Sequence, residues 1–244
     1  MPTSAHELLD RFSRRERRAL AEILTLVENG QAPDLPERPA GEESPPPLVV
    51  GITGSGGAGK STLIGSLVEH LRSAGKTVAV LANDPTSPLT GGALLGDRIR
   101  VRFDPADEGV YFRSLSTRGA QGGIAAATGP ALLWLAAFGF DVVLVETVGV
   151  GQDQIGVRPL VERLVLLVTP GTGDEVQWEK AGLIEVVDLV VVNKFDLPGA
   201  DRVQAQLASS LSLAPNRTPP PILAVTATTG AGVARLADAL FHLP

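Results

Sequence analysis

Nine consecutive residues constrain this chain more than any other feature. Gly54-Ser55-Gly56-Gly57-Ala58-Gly59-Lys60-Ser61-Thr62 fits the pattern G-x-x-x-x-G-K-[ST]. The apolar run LVVGIT at 48–53 precedes it, and a stretch of helical periodicity over 60–74 follows. Strand, glycine loop and helix in that order make a cradle for a polyphosphate. The glycines let the backbone curl until its N–H groups face phosphate oxygens. The helix that begins near Lys60 adds the positive end of its dipole. Gly56, Gly57, Ala58, Gly59 and Thr62 are therefore candidate nucleotide contacts. Lys60 is the candidate cation for β- and γ-phosphates, and Ser61 offers a hydroxyl to magnesium.

Such a loop needs a sheet behind it, and the rest of the chain supplies one. Apolar runs stand at 48–53, 77–82, 141–147, 163–169, 188–193 and 221–227. Each is apolar throughout rather than alternating, which marks strands buried on both faces. Helices are predicted over 60–74, 120–138, 174–186, 200–212 and 231–242. The expected fold is α/β, with a mostly parallel central sheet flanked by helices. Ahead of it, Leu8, Phe12, Leu20, Ile23, Leu24 and Val27 recur at helical spacing, with a break expected near Ser13. Residues 29–47 are rich in Pro and acidic side chains and read as a linker. The expected division is a helical appendage with linker over 1–47 and a nucleotide-binding domain over 48–244. Packing on that domain is the simplest role for the appendage.

A phosphate loop does not choose a base. The run at 188–193 ends in Asn193-Lys194-Phe195-Asp196, an N-K-x-D arrangement. A carboxylate at Asp196 can accept from guanine N1–H and the exocyclic amine, a donor pair that adenine lacks. Lys194 can lie along the base, and Asn193 can bridge to the phosphate loop. Thr226-Ala227-Thr228, at a later strand end, resembles a segment that closes over guanine in many GTPases. Asp84, Asp97 and Glu146 lie at or beyond strand ends that face the loop and are candidate magnesium carboxylates. Gly149 is placed to sense a γ-phosphate through its N–H, and Gln152 is a candidate by type for orienting water. Arg98 and Arg118 are candidate cis arginine fingers.

Composition narrows the alternatives. The net charge of −6 argues against a broadly basic nucleic-acid surface. No run approaches the ~20 apolar residues of a membrane span. With no cysteine and only His6, His70 and His242, the chain has no cluster suited to a soft metal. This weakens a rival reading as a nickel-type metallochaperone GTPase. The lack of cysteine fits a cytoplasmic protein. A kinase reading lacks a separate acceptor domain, and a nucleotide-dependent binding module with little hydrolysis stays open.

Several longer segments resemble the MeaB/ArgK family of GTPases. They are DPTSPLTGG with LLGDRIR, RGAQGGIA at 118–125, GFDVVLVETVGVGQ at 139–152 and PGTGDEVQWEKAGLIEVVDLVVVNKFD at 170–196. The resemblance covers most of the chain. It implies a P-loop fold of the signal-recognition and MinD-like class, with Asp84, Asp97 and Glu146 as the acidic magnesium shell. It implies a further switch over 170–182, where Gln177 and Lys180 transmit nucleotide state. It also implies a partner: a cobalamin-dependent acyl-CoA mutase whose cofactor loading and protection the GTPase assists, and which stimulates slow basal hydrolysis. Family members dimerise through an arm past the last helix. A homodimer is thus an expectation, although this sequence ends at Pro244. Gln121 stands where the family usually has Leu, and Phe195 with Leu197-Pro198 replaces a more polar stretch.

Overall fold

The computed structural model describes residues 4–35, 45–84, 106–117, 124–148, 152–171, 183–212 and 218–243, with the backbone alone for 152–155. Its frame is a seven-stranded sheet in which every pairing is parallel. The strands are β1 Leu48–Gly54, β2 Val78–Asp84, β3 Val110–Ser116, β4 Val142–Glu146, β5 Arg163–Val168, β6 Leu189–Val192 and β7 Ile222–Ala224. Their spatial order is β3-β2-β4-β1-β5-β6-β7. The chain leaves β1 toward one edge and, after β4, crosses to the other side of β1. The strand order therefore switches at β1, which is where a ligand crevice opens in such sheets.

The continuous apolar runs divide cleanly between the two faces. Ala79 and Leu81, Val143 and Val145, Leu164 and Leu166, and Val190 and Val192 face one core. Val78 and Val80, Val142 and Leu144, Val165 and Leu167, and Leu189 and Val191 face the other. Successive side chains on a strand point to opposite faces, so two cores require the absence of polar alternation seen in sequence.

Six α-helices cover the sheet among the described residues: α1 Ala5–Ser13, α2 Arg17–Glu28, α3 Lys60–Ser73, α4 Thr128–Phe138, α5 Ala200–Ser212 and α6 Val233–His242. Helices α3 and α6 close one face. The other carries α1, α2, α4 and α5. The Ser4 hydroxyl caps α1 by accepting from the Glu7 N–H at 3.2 Å. The break after Ser13 is a tight turn in which Arg15 adopts a φ of 62°. Leu20, Ile23, Leu24 and Val27 of α2 are buried in the same core as strands β2 and β4. Arg17 donates to the Asp107 and Val110 carbonyls, and Arg113 pairs with Glu28, fastening α2 along edge strand β3.

Four sequence expectations need correction. Strand β3 was not expected, because in VYFRSLS the half-buried Arg113 and Ser114 interrupt the apolar run. Helix α4 starts at Thr128 rather than 120, after a turn at 124–127. Gln152–Leu160 forms an unexpected 3₁₀ segment. Of the helix expected over 174–186, the described part is a single 3₁₀ turn, Leu183–Glu185.

Candidate nucleotide site

The glycine loop leaves the carboxyl end of β1, the strand at the switch point, and turns into α3. Gly59 immediately precedes α3 with a φ of 94°, and a Cβ there would lie 2.5 Å from the Asn193 Nδ2. Glycine at 59 is thus required both by the left-handed turn and by the close approach of Asn193. Gly57, with a φ of 80°, has open space where its Cβ would stand. Lys60 is buried at 8% exposure. Its Nζ lies inside the loop, donating to the Gly54 carbonyl at 2.9 Å and the Ser55 carbonyl at 3.0 Å. The ammonium is therefore held within the curl that the sequence assigned to phosphates. Gly56 is exposed, Ala58 is buried, and Thr62 sits exposed on the first turn of α3.

Asn193 ends the β6 run and joins three segments. Its Nδ2 donates to the Ala58 carbonyl at 2.9 Å, and its Oδ1 accepts from the Ala227 N–H at 3.1 Å. One buried amide thereby ties the phosphate loop to the 226–228 segment, as the sequence had suggested for its loop side. Lys194 follows with a φ of 54°, a conformation uncommon outside glycine. Its Nζ donates to the Gly57 carbonyl at 2.8 Å, so its stem runs across the loop. Asp196 is exposed at the turn after β6. Thr226 and Ala227 are buried and Thr228 is exposed. The Ala227 carbonyl accepts the Ser66 hydroxyl of α3 at 2.5 Å. The Phe195 N–H donates to the Val225 carbonyl at 3.1 Å. The base-side loops are thus cross-linked to each other and to the phosphate loop.

The metal side lies across β1. Glu146 is the last residue of β4 and Asp84 the last of β2. Register sets Glu146 opposite Ile52 of β1 and Ala82 of β2. Asp84 is fully buried and Glu146 is 6% exposed. The Ser61 hydroxyl donates to Glu146 Oε1 at 2.8 Å, so two candidate ligands 85 positions apart in sequence meet. A hydroxyl and two carboxylates are hard oxygen donors. They suit magnesium, which takes one or two carboxylates and completes its shell with water and phosphate oxygens. Among the described residues no cluster of three or more His, Cys, Asp or Glu forms a metal cage. Asp97, Gly149, Gln177, Lys180, Arg98, Arg118 and Gln121 lie outside the described residues. Gln152 opens the 3₁₀ segment with its backbone alone described.

Sequence reasoning missed two polar residues in this region. Asn83 is 3% exposed; it donates to the Glu146 carbonyl at 3.1 Å and accepts from Ala125 N–H and Thr128 Oγ1, both at 2.8 Å. The Thr147 hydroxyl meets that of Thr53 at 3.2 Å and the Ile52 carbonyl at 3.4 Å, closing β4 against β1. A lone amide at the end of the apolar run VAVLAND was the available signal, since a buried amide needs partners.

Comparison with known proteins agrees with this geometry. Residues 20–243 match the family described as "Methylmalonyl Co-A mutase-associated GTPase MeaB". A Pyrococcus horikoshii protein named as a GTPase is 45% identical over 240 residues, covering 94% of this chain and 74% of that one. The mouse methylmalonic aciduria type A homolog, a mitochondrial protein, is 39% identical over 197 residues, 78% of this chain and 48% of that one. A crystal structure described as an LAO/AO transport system kinase superposes with a TM-score of 0.71 at 27% identity, covering all of this chain and 76% of the other. The chain belongs to the MeaB family of methylmalonyl-CoA mutase-associated GTPases and is itself a P-loop GTPase.

Proposed function

We propose that this GTPase works as a magnesium-dependent switch that assists cofactor loading and protection of a cobalamin-dependent acyl-CoA mutase. The observation that carries the switch reading is the Ser61–Glu146 contact at 2.8 Å beside the buried Asp84. It joins the phosphate loop to the end of β4, whose Glu146 stands in register with Ala82 of β2, the strand that ends in Asp84. The mutase partner rests on family membership and on the resemblance to the mouse homolog.

Hydrolysis proceeds by direct attack of water on the γ-phosphate, with no covalent protein intermediate. The chain supplies position and charge. Lys60 and the N–H groups of 56–62 hold the β- and γ-phosphates. Ser61, Asp84, Asp97 and Glu146 would hold magnesium, which neutralises phosphate charge when bound. Asp196 reads the guanine edge; it is exposed in the free protein, and the base itself covers it. Lys194 flanks the base, and Thr226, Ala227 and Thr228 close over it. Gly149 senses the γ-phosphate, and Gln152 orients the attacking water. Such a set gives slow turnover alone and leaves room for acceleration by a partner.

The test is phosphate release from GTP with and without purified cobalamin-dependent acyl-CoA mutases acting on different acyl-CoA esters. Stimulation by one mutase supports the chaperone reading and names the partner. Rapid basal turnover that no mutase changes overturns it. No helix among the described residues is long and apolar enough to cross a membrane.

A further inference from the structure

Asn83 is a buried amide that bonds to the Glu146 backbone on one side and to Ala125 and Thr128 on the other. Its orientation is unambiguous. A peptide carbonyl can only accept and a peptide N–H can only donate. The side-chain nitrogen must therefore face the Glu146 carbonyl, and the oxygen must face Ala125. The oxygen also takes the Thr128 hydroxyl at 2.8 Å, and Thr128 is fully buried. A buried amide is costly without such bonds. Here they connect the end of β4 to the entry of α4.

The connection continues along α4 to the N-terminal hairpin. At the far end of α4, Arg15 Nη1 donates to the Ala137 carbonyl at 3.1 Å, and the guanidinium stands over the Phe138 ring at 5.8 Å. Phe12 of α1 meets Trp134 edge-on at 5.0 Å and Phe138 at 5.5 Å. Helix α4 is thus fixed to the N-terminal hairpin at one end and, through Asn83, to the Glu146 backbone at the other.

We infer that Asn83 is a positioning residue for the GTPase reaction: it sets the Glu146 carboxylate against Ser61 by anchoring the Glu146 backbone to the first turn of α4. A displacement of α4 then reaches the Ser61–Glu146 contact directly. The inference rests on the reading of Glu146 as part of the magnesium shell.

The experiment is GTP hydrolysis by the full chain at saturating GTP, titrated with magnesium, beside GDP affinity measured in EDTA. Glu146→Gln tests the underlying reading and should raise the magnesium needed for half-maximal rate. Asn83→Leu should raise it by roughly tenfold, as expected when a residue that orients a metal ligand is lost, with GDP affinity in EDTA unchanged. Thr128→Val removes one hydroxyl at the α4 entry, well away from the nucleotide loops, and should shift the curve in the same direction by less. Thr128→Ser keeps the hydroxyl and should restore the wild-type curve. If Asn83→Leu does not fold, the Thr128 pair decides. A wild-type magnesium curve for Thr128→Val, with Glu146→Gln shifted, overturns the positioning role and leaves the metal reading standing. A parallel loss of GDP affinity in EDTA makes the role merely structural and also overturns it. An unshifted curve for Glu146→Gln overturns both.

Discussion

The two ends of the sheet carry charge in opposite ways. At the amino ends, carboxylates precede strands and bond to their neighbours. Asp107, just before β3, takes the Arg72 guanidinium on both oxygens at 2.8 Å and the Gly109 N–H at 2.8 Å. Asp141, before β4, accepts the Thr77 N–H at 2.7 Å and hydroxyl at 2.8 Å. Asp188, before β6, accepts the Leu164 N–H at 2.8 Å and Arg158 at 3.2 Å. The Arg72 pair, helped by the Gly109 N–H, holds the Asp107 carboxyl below its ordinary range. Burial pushes Asp141 up, but the Thr77 bonds outweigh it and its carboxyl also lies low. At the carboxyl ends, Asp84 and Glu146 are far more deeply buried. Burying a carboxylate costs several kcal/mol, and a fold has no need of two there. On the proposed reading, the difference teaches that amino-end charge serves the fold, while carboxyl-end charge serves a ligand.

Substitutions at the carboxyl end should therefore damage chemistry before stability. Lys60→Ala is expected to have the largest effect, a loss of turnover of about 10²–10³-fold, the scale of removing one donor from a charged transition state. Single-turnover hydrolysis and the melting temperature should be measured together. A large rate loss with nearly unchanged melting sharpens the contrast between the ends. Comparable loss of both would break it.

Asn193 is the exception that marks where the two roles meet. Asn193→Ala strands the Ala58 carbonyl and the Ala227 N–H, which should destabilise the protein by about 2–4 kcal/mol and weaken nucleotide binding as well. Urea denaturation with and without GDP would separate the two losses. Asp196, by contrast, is exposed, and its carboxylate holds no other segment among the described residues. Asp196→Asn should leave folding unchanged and lower GTP affinity by about tenfold or more, the value of one charged hydrogen bond. Xanthosine triphosphate, whose O2 replaces the amino donor, should regain what GTP loses. Persistent preference for GTP would remove the base-reading role from this turn.

Most of the carboxyl end was legible because its signals are local. The glycine loop is one contiguous motif, and six of the seven strands are continuous apolar runs with no other use in a soluble fold. Asn193 could be assigned a bridge because N-K-x-D stood at the end of such a run. Strand β3 was not legible: VYFRSLS buries Tyr111 and Leu115 in one core and Val110 and Phe112 in the other, but Arg113, which goes to Glu28, and Ser114 break the apolar run. Asn83 was not legible as a hub because its partners, Ala125, Thr128 and Glu146, lie 42 to 63 positions away. The start of α4 was misplaced for the same reason. Thr128 opens the helix, and its hydroxyl is committed to a residue on β2 that no local pattern reveals.

The smallest expected effect lies at the amino end. The Asp107 carboxyl lies below the ordinary carboxylate range because Arg72 and the Gly109 N–H favour its charged form. Its stabilising contribution is then complete above the ordinary carboxylate range and fades as pH falls through the lower, folded value. Asp107→Asn should melt below the wild type at neutral pH, and the two should converge as pH falls below the ordinary carboxylate range. The pair is about a quarter exposed on each side, with side-chain exposures of 26% and 28%. Solvent screening therefore limits the neutral-pH difference to at most about 2–4 °C. GTP turnover at neutral pH should be unchanged, because Asp107 stands at the opposite end of the strands from the phosphate loop. A turnover change larger than the melting shift would mean that charge at the amino end also reaches the nucleotide, and the division of labour between the two ends would fail.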